Sequence, residues 1–225
     1  MTETRTRPAT TTRARRTTGV LGLAAVVLVF VPGISLPLPQ PSFDGAAPAV
    51  AAYVAVLSTP PAQVLAAVMS LGTLVWLVFA AALLTTTARG AWSWQRIAAG
   101  GCAVVFTVLG LTAQSTSFVF RSEGVDPRIA LRAFDEGNVA FANSWLALGA
   151  FGVLLGWDAL GSAAFPRWSA WWLLIAGAGM MLARFLWLSG YWFFPYAAVW
   201  LWIITTCVLL LVAGGRTRSA TATAA

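Results

Sequence analysis

An all-α bundle of six membrane-spanning helices is the fold this sequence predicts, on three observations. Of its 225 residues, 59% are hydrophobic and only 9% charged, whereas soluble domains carry about 25% charged residues. Six apolar runs are each long enough to cross a hydrocarbon core of ~30 Å at a helical rise of ~1.5 Å per residue. The arginines gather at the ends of these runs, the pattern that orients membrane helices.

Residues 1–18 hold five arginines and one glutamate among threonines, with nothing to bury. They predict a disordered basic cytoplasmic tail beside anionic lipid headgroups. The first span covers 19–38, and Pro32-Gly33 should kink its outer third. A cleaved signal peptide is the alternative, given Arg15-Arg16 before an apolar run and small residues from Ala46 to Ala52. The run exceeds the usual apolar region of about 7 to 15 residues, which favours an uncleaved anchor.

The following segment is proline-rich at both ends, around an apolar run at 47–57 too short to span. Asp44 stands where a helix N-cap would, and Pro60-Pro61 closes the run. The expectation is a short interfacial helix on the outer surface. Further spans are predicted at 64–86, 96–116, 138–158, 168–189 and 195–213. Asp126-Pro127 should open a second short outer helix, with apolar spacing at Ile129, Leu131 and Phe134. Residues 214–225 read as a second disordered tail.

One side of this arrangement collects the tail arginines with Arg89, Arg96, Arg167, Arg216 and Arg218. The other has Arg121, Arg128 and Arg132, set against Glu123, Asp126, Asp135 and Glu136. By the positive-inside rule both termini are expected in the cytoplasm, with the bundle in the cell inner (plasma) membrane. Trp92, Trp94, Trp157, Trp168, Trp171 and Trp172 then fall at the inner interface, and Trp145, Trp187 and Trp192 near the outer one. Trp200 and Trp202 fall deeper, between helices.

The 14 basic residues are all arginine, and there is no histidine. Without lysine there is no Schiff base and no Ser-Lys dyad. Without histidine there is no Ser-His-Asp triad, haem imidazole or HExxH zinc site. No cofactor or metal is expected. Cys102 and Cys207 lie inside apolar runs, unlike a secreted disulfide framework, and read as small hydrophobes. The formal charge of +7 is assigned to topology and not to nucleic acid. Membrane lipids are the expected partners, with a protein partner or a second copy of the chain.

Arg184 is the most informative single residue, because an arginine within a span costs about 2.5 to 3.5 kcal/mol at the bilayer centre. It lies about 7 Å below the outer end of its helix by the rise per residue, within snorkelling reach. At a similar depth Gln114, Ser115 and Thr116 end the third span. Asp135, Glu136, Asn138 and Asn143 open the fourth, with Glu136 and Asn143 on one face. These groups predict a ligand-binding polar pocket in the outer half of the bundle, with Glu136 or Asp135 as the arginine's partner. A snorkelled or purely structural Arg184 is the competing reading. For Asn138 and Asn143 it is capping and interhelical hydrogen bonding.

Asp158, at the helix end unfavourable to an anion, is expected to pair with Arg167 or Arg96, the alternative being a proton-carrying carboxylate. Gly149, Gly152 and Gly156, with Gly177 and Gly179 on the next span, permit close helix approach.

Three stretches, AAPAVAAYVAVLSTPPAQVLAAV, DPRIALRAFDEGNVAFANSWLALGAF and GSAAFPRWSAWW, carry a family resemblance. With them the chain resembles a broad group of six-helix bacterial integral membrane proteins of unknown function. That group has a short outer helix after the first span and an FPRW inner turn, here Phe165 to Trp168. The resemblance implies a fold and a membrane address, but no reaction and no catalytic residue.

The function expected is non-enzymatic: binding a lipid-like or small amphipathic ligand, or a protein partner, through the outer polar pocket. The alternative is a small secondary transporter or channel, which needs a continuous polar path. An intramembrane enzyme lacks a paired base, and an assembly factor would be unstable alone.

Overall fold

The computed structural model describes residues 10–36, 40–42, 45, 47–88, 92–119, 126–162 and 165–222. Asp44, Arg89, Arg121 and Glu123 lie outside these residues, as do the side chains of Thr116, Arg216 and Arg218.

Seven α-helices form among the described residues: α1 (Thr10–Ile34), α2 (Ala47–Leu57), α3 (Pro60–Thr86), α4 (Trp94–Val119), α5 (Pro127–Ser162), α6 (Arg167–Ala183) and α7 (Phe193–Ala222). All except α2 supply a segment long and apolar enough to cross a membrane. Two 3-10 turns, Arg184–Leu186 and Gly190–Trp192, join α6 to α7.

The helices extend beyond the apolar runs at both chain ends. Residues 10–18, read as tail, form the first turns of α1. Arginine is a good helix former, and Thr18 is buried, bonded to the Ala14 carbonyl at 2.9 Å and to Thr86 Oγ1 at 3.2 Å. The C-terminal segment continues α7 to Ala222. Pro60 and Pro61 open α3, where a missing N–H leaves nothing unsatisfied.

The largest departure from expectation is α5. The short helix at Pro127 and the fourth span are one continuous helix of 36 residues, about 54 Å long by its rise. An internal glycine such as Gly137 costs only about 1 kcal/mol relative to alanine. Exposed Asp135 and Glu136 need no break in the backbone, so the polar stretch interrupts the apolar pattern without ending the helix.

Neighbour contacts run α1–α3–α4–α5–α6–α7 and back to α1, so the six long helices close a ring. Both termini leave from one face of it, here the terminal face. On the distal face α2 rests against α5 and α3, where Val50, Tyr53 and Leu57 meet Ala130, Ala133 and Phe134. Glycines allow close helix approach between α1 and α3, at Gly72, and between α5 and α6. A Cβ on Gly177 would stand 2.6 Å from the Gly149 carbonyl oxygen, and one on Gly156 2.9 Å from that of Ala170. Gly149, Gly152 and Gly156 of α5 therefore face α6.

The terminal half of the ring is filled. Trp76 lies 4.5 Å from Phe106 and 5.6 Å from Phe151 between ring centroids. Trp202 donates its indole N–H to the Ser169 carbonyl and hydroxyl, each at 2.9 Å, with Phe165 against its ring. Exposed Trp92, Trp94, Trp157, Trp168 and Trp171 ring the terminal face, as an aromatic belt does. Trp145 corrects the belt expected on the distal side: it is fully buried and stacked on Trp192 at 5.1 Å.

Candidate functional site

Arg184 begins the 3-10 turn that ends α6, where a cation is favoured by the helix dipole. Its Nε donates to Asn143 Oδ1 at 2.8 Å, and its guanidinium carbon lies 5.8 Å from the Trp187 ring centroid. The carboxylate partner expected for it is not there. Glu136 instead pairs with Arg132 one turn away at 3.0 Å, with both side chains mostly exposed, and Asp135 is exposed beside it. Glu136 and Asn143 do share a helix face, but seven residues separate them by about 10 Å along α5. The arginine engages the nearer group, and a neutral amide suffices at the margin of the bundle.

The other predicted residues converge elsewhere. Gln114 of α4 and Asn138 of α5 both line a cavity of about 370 Å³ in the distal half of the ring. Arg184, Asn143, Asp135 and Glu136 do not line it. Trp76 and Phe106 form its floor. Phe30 of α1 and Tyr196 and Trp200 of α7 form its walls, and Tyr53 and Leu57 of α2 and Phe134 of α5 cover it. It reaches the surface at the end of α1, where Gly33 and Ile34 are exposed.

Small residues make the space. Ala62 and Ala66 of α3, Gly110 and Ala113 of α4 and Gly137 of α5 all line it, where bulkier side chains would fill a ring of six helices. Pockets for small molecules measure about 300 to 1,000 Å³ and are mostly apolar with a few placed polar groups.

Those polar groups are only partly satisfied. Gln114 Nε2 donates to Thr73 Oγ1 at 2.9 Å, and Thr73 donates to the Met69 carbonyl at 3.1 Å. Gln40 Nε2 donates to Asn138 Oδ1 at 3.0 Å. Left without a partner among the described residues are Gln114 Oε1, Asn138 Nδ2 and the indole nitrogens of Trp76 and Trp200. A buried polar atom with no partner costs about 1 to 3 kcal/mol, so four on one cavity's lining residues mark it as a candidate binding site.

Among the described residues the lining carries no Asp, Glu, Arg, Lys or His. Its ionisable groups are the phenols of Tyr53 and Tyr196, and burial pushes the Tyr53 phenol above its usual 10.0. Ser144 directs its hydroxyl to the Phe141 carbonyl at 2.6 Å. The arrangement offers apolar contact and neutral hydrogen bonds. Among the described residues no three His, Cys, Asp or Glu side chains gather as metal ligands.

A second polar cluster lies at the terminal face. Arg96 pairs with Asp158 at 2.7 Å, both nearly inaccessible. The guanidinium also donates to the Leu84 carbonyl (2.6 Å), the Thr87 hydroxyl (3.1 Å) and the Thr87 carbonyl (3.0 Å). Ser93 donates to Asp158 at 2.5 Å. Arg96 thus caps the end of α3, and of the two arginines expected for Asp158 it is the one that holds it. Arg167 is exposed.

Sequence reading found Gln114 and Asn138 but missed Trp76, Thr73, Gln40 and Tyr53. The signal was present in α3, where Ala66, Met69, Thr73 and Trp76 follow helical spacing along one face. Compared with known proteins, the chain matches no family model, no curated protein and no solved structure.

Proposed function

We propose that this chain is a non-enzymatic multi-pass protein of a bacterial plasma membrane, holding a lipid-like or small amphipathic ligand in its distal cavity. Both termini lie in the cytoplasm, as the arginine distribution favours, and the cavity then opens in the outer half of the bilayer. Its resemblance to six-helix bacterial membrane proteins belongs to the same proposal. The single observation that carries the binding reading is the set of four unpartnered polar atoms on residues lining an otherwise apolar cavity.

A transporter or channel would need a way through the floor, where Trp76, Phe106 and Phe151 are in ring contact. That packing favours a holding role over a conducting one.

Native mass spectrometry of the protein in mild detergent tests the reading. A Cβ on Gly110 would meet only Thr73 Cγ2, at 3.4 Å, so Gly110→Leu extends into the cavity. Wild type should carry a bound small molecule that Gly110→Leu loses. A bare mass for wild type extracted directly from membranes would count against the proposal.

A further inference from the structure

We infer that the cavity takes an uncharged lipid whose polar end carries carbonyl oxygens that accept from the indole N–H of Trp76 and the Asn138 amide. This rests on the binding reading above and specifies its ligand class.

Charge is excluded first. With no acidic or basic side chain among the described residues of the lining, a phosphate, ammonium or carboxylate would be buried there without a counter-ion, at a cost of several kcal/mol. Arg184, the nearest candidate by sequence depth, is engaged with Asn143 and Trp187 outside the lining.

The unpartnered atoms then define the polarity. Indole N–H is a donor only, and Trp76 is fully buried, so it can be satisfied by an acceptor alone. Asn138 is 4% exposed and has its carbonyl oxygen taken by Gln40, leaving Nδ2 to donate. With the Trp200 indole of α7 as a third buried donor, donors on three helices suit a ligand with two or more acceptor oxygens. Gln114 Oε1 remains to accept from a hydroxyl if the ligand carries one. Terminal amides turn about a broad torsion, so Asn138 and Gln114 can adjust to the ligand, while the Trp76 ring is fixed between Phe106 and Phe151.

Size and the mouth complete the description. A volume of about 370 Å³ is near the lower end for small-molecule sites and suits a ring or ester head with a short length of chain. The remaining tail leaves at the end of α1, where a Cβ on Gly33 meets nothing within 4 Å and Ile34 is 81% exposed. That opening faces the surroundings of the ring, where acyl chains lie. Two lipid sources share this carbonyl chemistry, an isoprenoid quinone and a diacylglycerol.

The test titrates full-length protein in detergent with a short-chain isoprenoid quinone, dioctanoylglycerol, dioctanoylphosphatidate and squalene, read by native mass spectrometry. Wild type should bind the quinone or the diglyceride in preference to the other two, and whichever binds identifies the source. Trp76→Phe, which keeps a ring but removes the N–H, should weaken that binding about tenfold, the worth of one hydrogen bond. If Trp76→Phe does not fold, Asn138→Leu carries the same expectation. Phosphatidate binding as well as dioctanoylglycerol overturns the uncharged assignment, and squalene binding as well as the quinone overturns the carbonyl assignment. Both results leave a lipid-binding cavity standing. Failure of all four, with Gly110→Leu indistinguishable from wild type, removes the binding reading itself.

Discussion

The Arg96 guanidinium and the Asp158 carboxylate meet at 2.7 Å with side-chain exposures of 3% and 7%, and through them the end of α3, the start of α4 and the end of α5 are joined. Removing one partner leaves a buried charge uncompensated, at about 3 to 5 kcal/mol. Arg96→Met and Asp158→Leu should each lower the thermal stability of the detergent-solubilised protein sharply. The double variant should be more stable than either single one. Strictly additive losses would show that the pair is not energetically coupled.

The contact of α5 with α6 tolerates no added carbon. Gly177→Ala places a Cβ 2.6 Å from the Gly149 carbonyl oxygen, and overpacking of this kind costs about 1 to 3 kcal/mol. Gly101→Ala on α4 meets nothing within 4 Å and should be neutral or stabilising by up to about 1 kcal/mol. Melting temperatures of the two variants should move in opposite directions or differ by several degrees.

Tyr53 anchors α2 over the cavity, 6.1 Å from Phe134 between centroids, and burial raises its pKa above 10.0. The folded state therefore favours the neutral phenol. Stability from this group is fully present below pH 10, and it is lost as pH rises from there through the folded pKa. Docking of α2 should loosen at strongly alkaline pH, and Tyr53→Phe should remove this dependence. Proteolytic sensitivity of the segment around α2, followed against pH, reports both.

Arg184 and the cavity should separate experimentally. Asn143→Ala removes a neutral acceptor from a half-buried arginine and should cost roughly 1 kcal/mol. Arg184→Leu should leave ligand retention unchanged, because Arg184 does not line the cavity. Loss of ligand in Arg184→Leu with unaltered stability would return Arg184 to the site.

The helical fold was legible because length and hydropathy act locally: α2 occupies residues 47–57 as expected, and six helices long and apolar enough to cross a membrane are present. The continuity of α5 was not legible, since the Asp135-Glu136-Gly137-Asn138 stretch satisfies the signals of a loop while costing a helix little. Gln114 and Asn138 could be found as polar residues in apolar runs. Trp76 could not, because a tryptophan in a span resembles ordinary core until the space beside it is known. The partner of Arg184 was misjudged because charge complementarity says nothing about distance along a rod. The Arg96–Asp158 pair was within reach, as both residues sit where helices end.

The unbroken course of α5 has a mechanical consequence. Asp158 is near one end of this helix, Asn138 and Phe141 stand beside the cavity, and Ala130, Ala133 and Phe134 hold α2 at the other end. A helix without a joint transmits tilt along its whole length, so the cover cannot lift by bending at Gly137 without breaking backbone hydrogen bonds. Opening the cavity by that route swings α5 as a lever about its glycine contact with α6. The buried ion pair at the far end is then the latch that resists it.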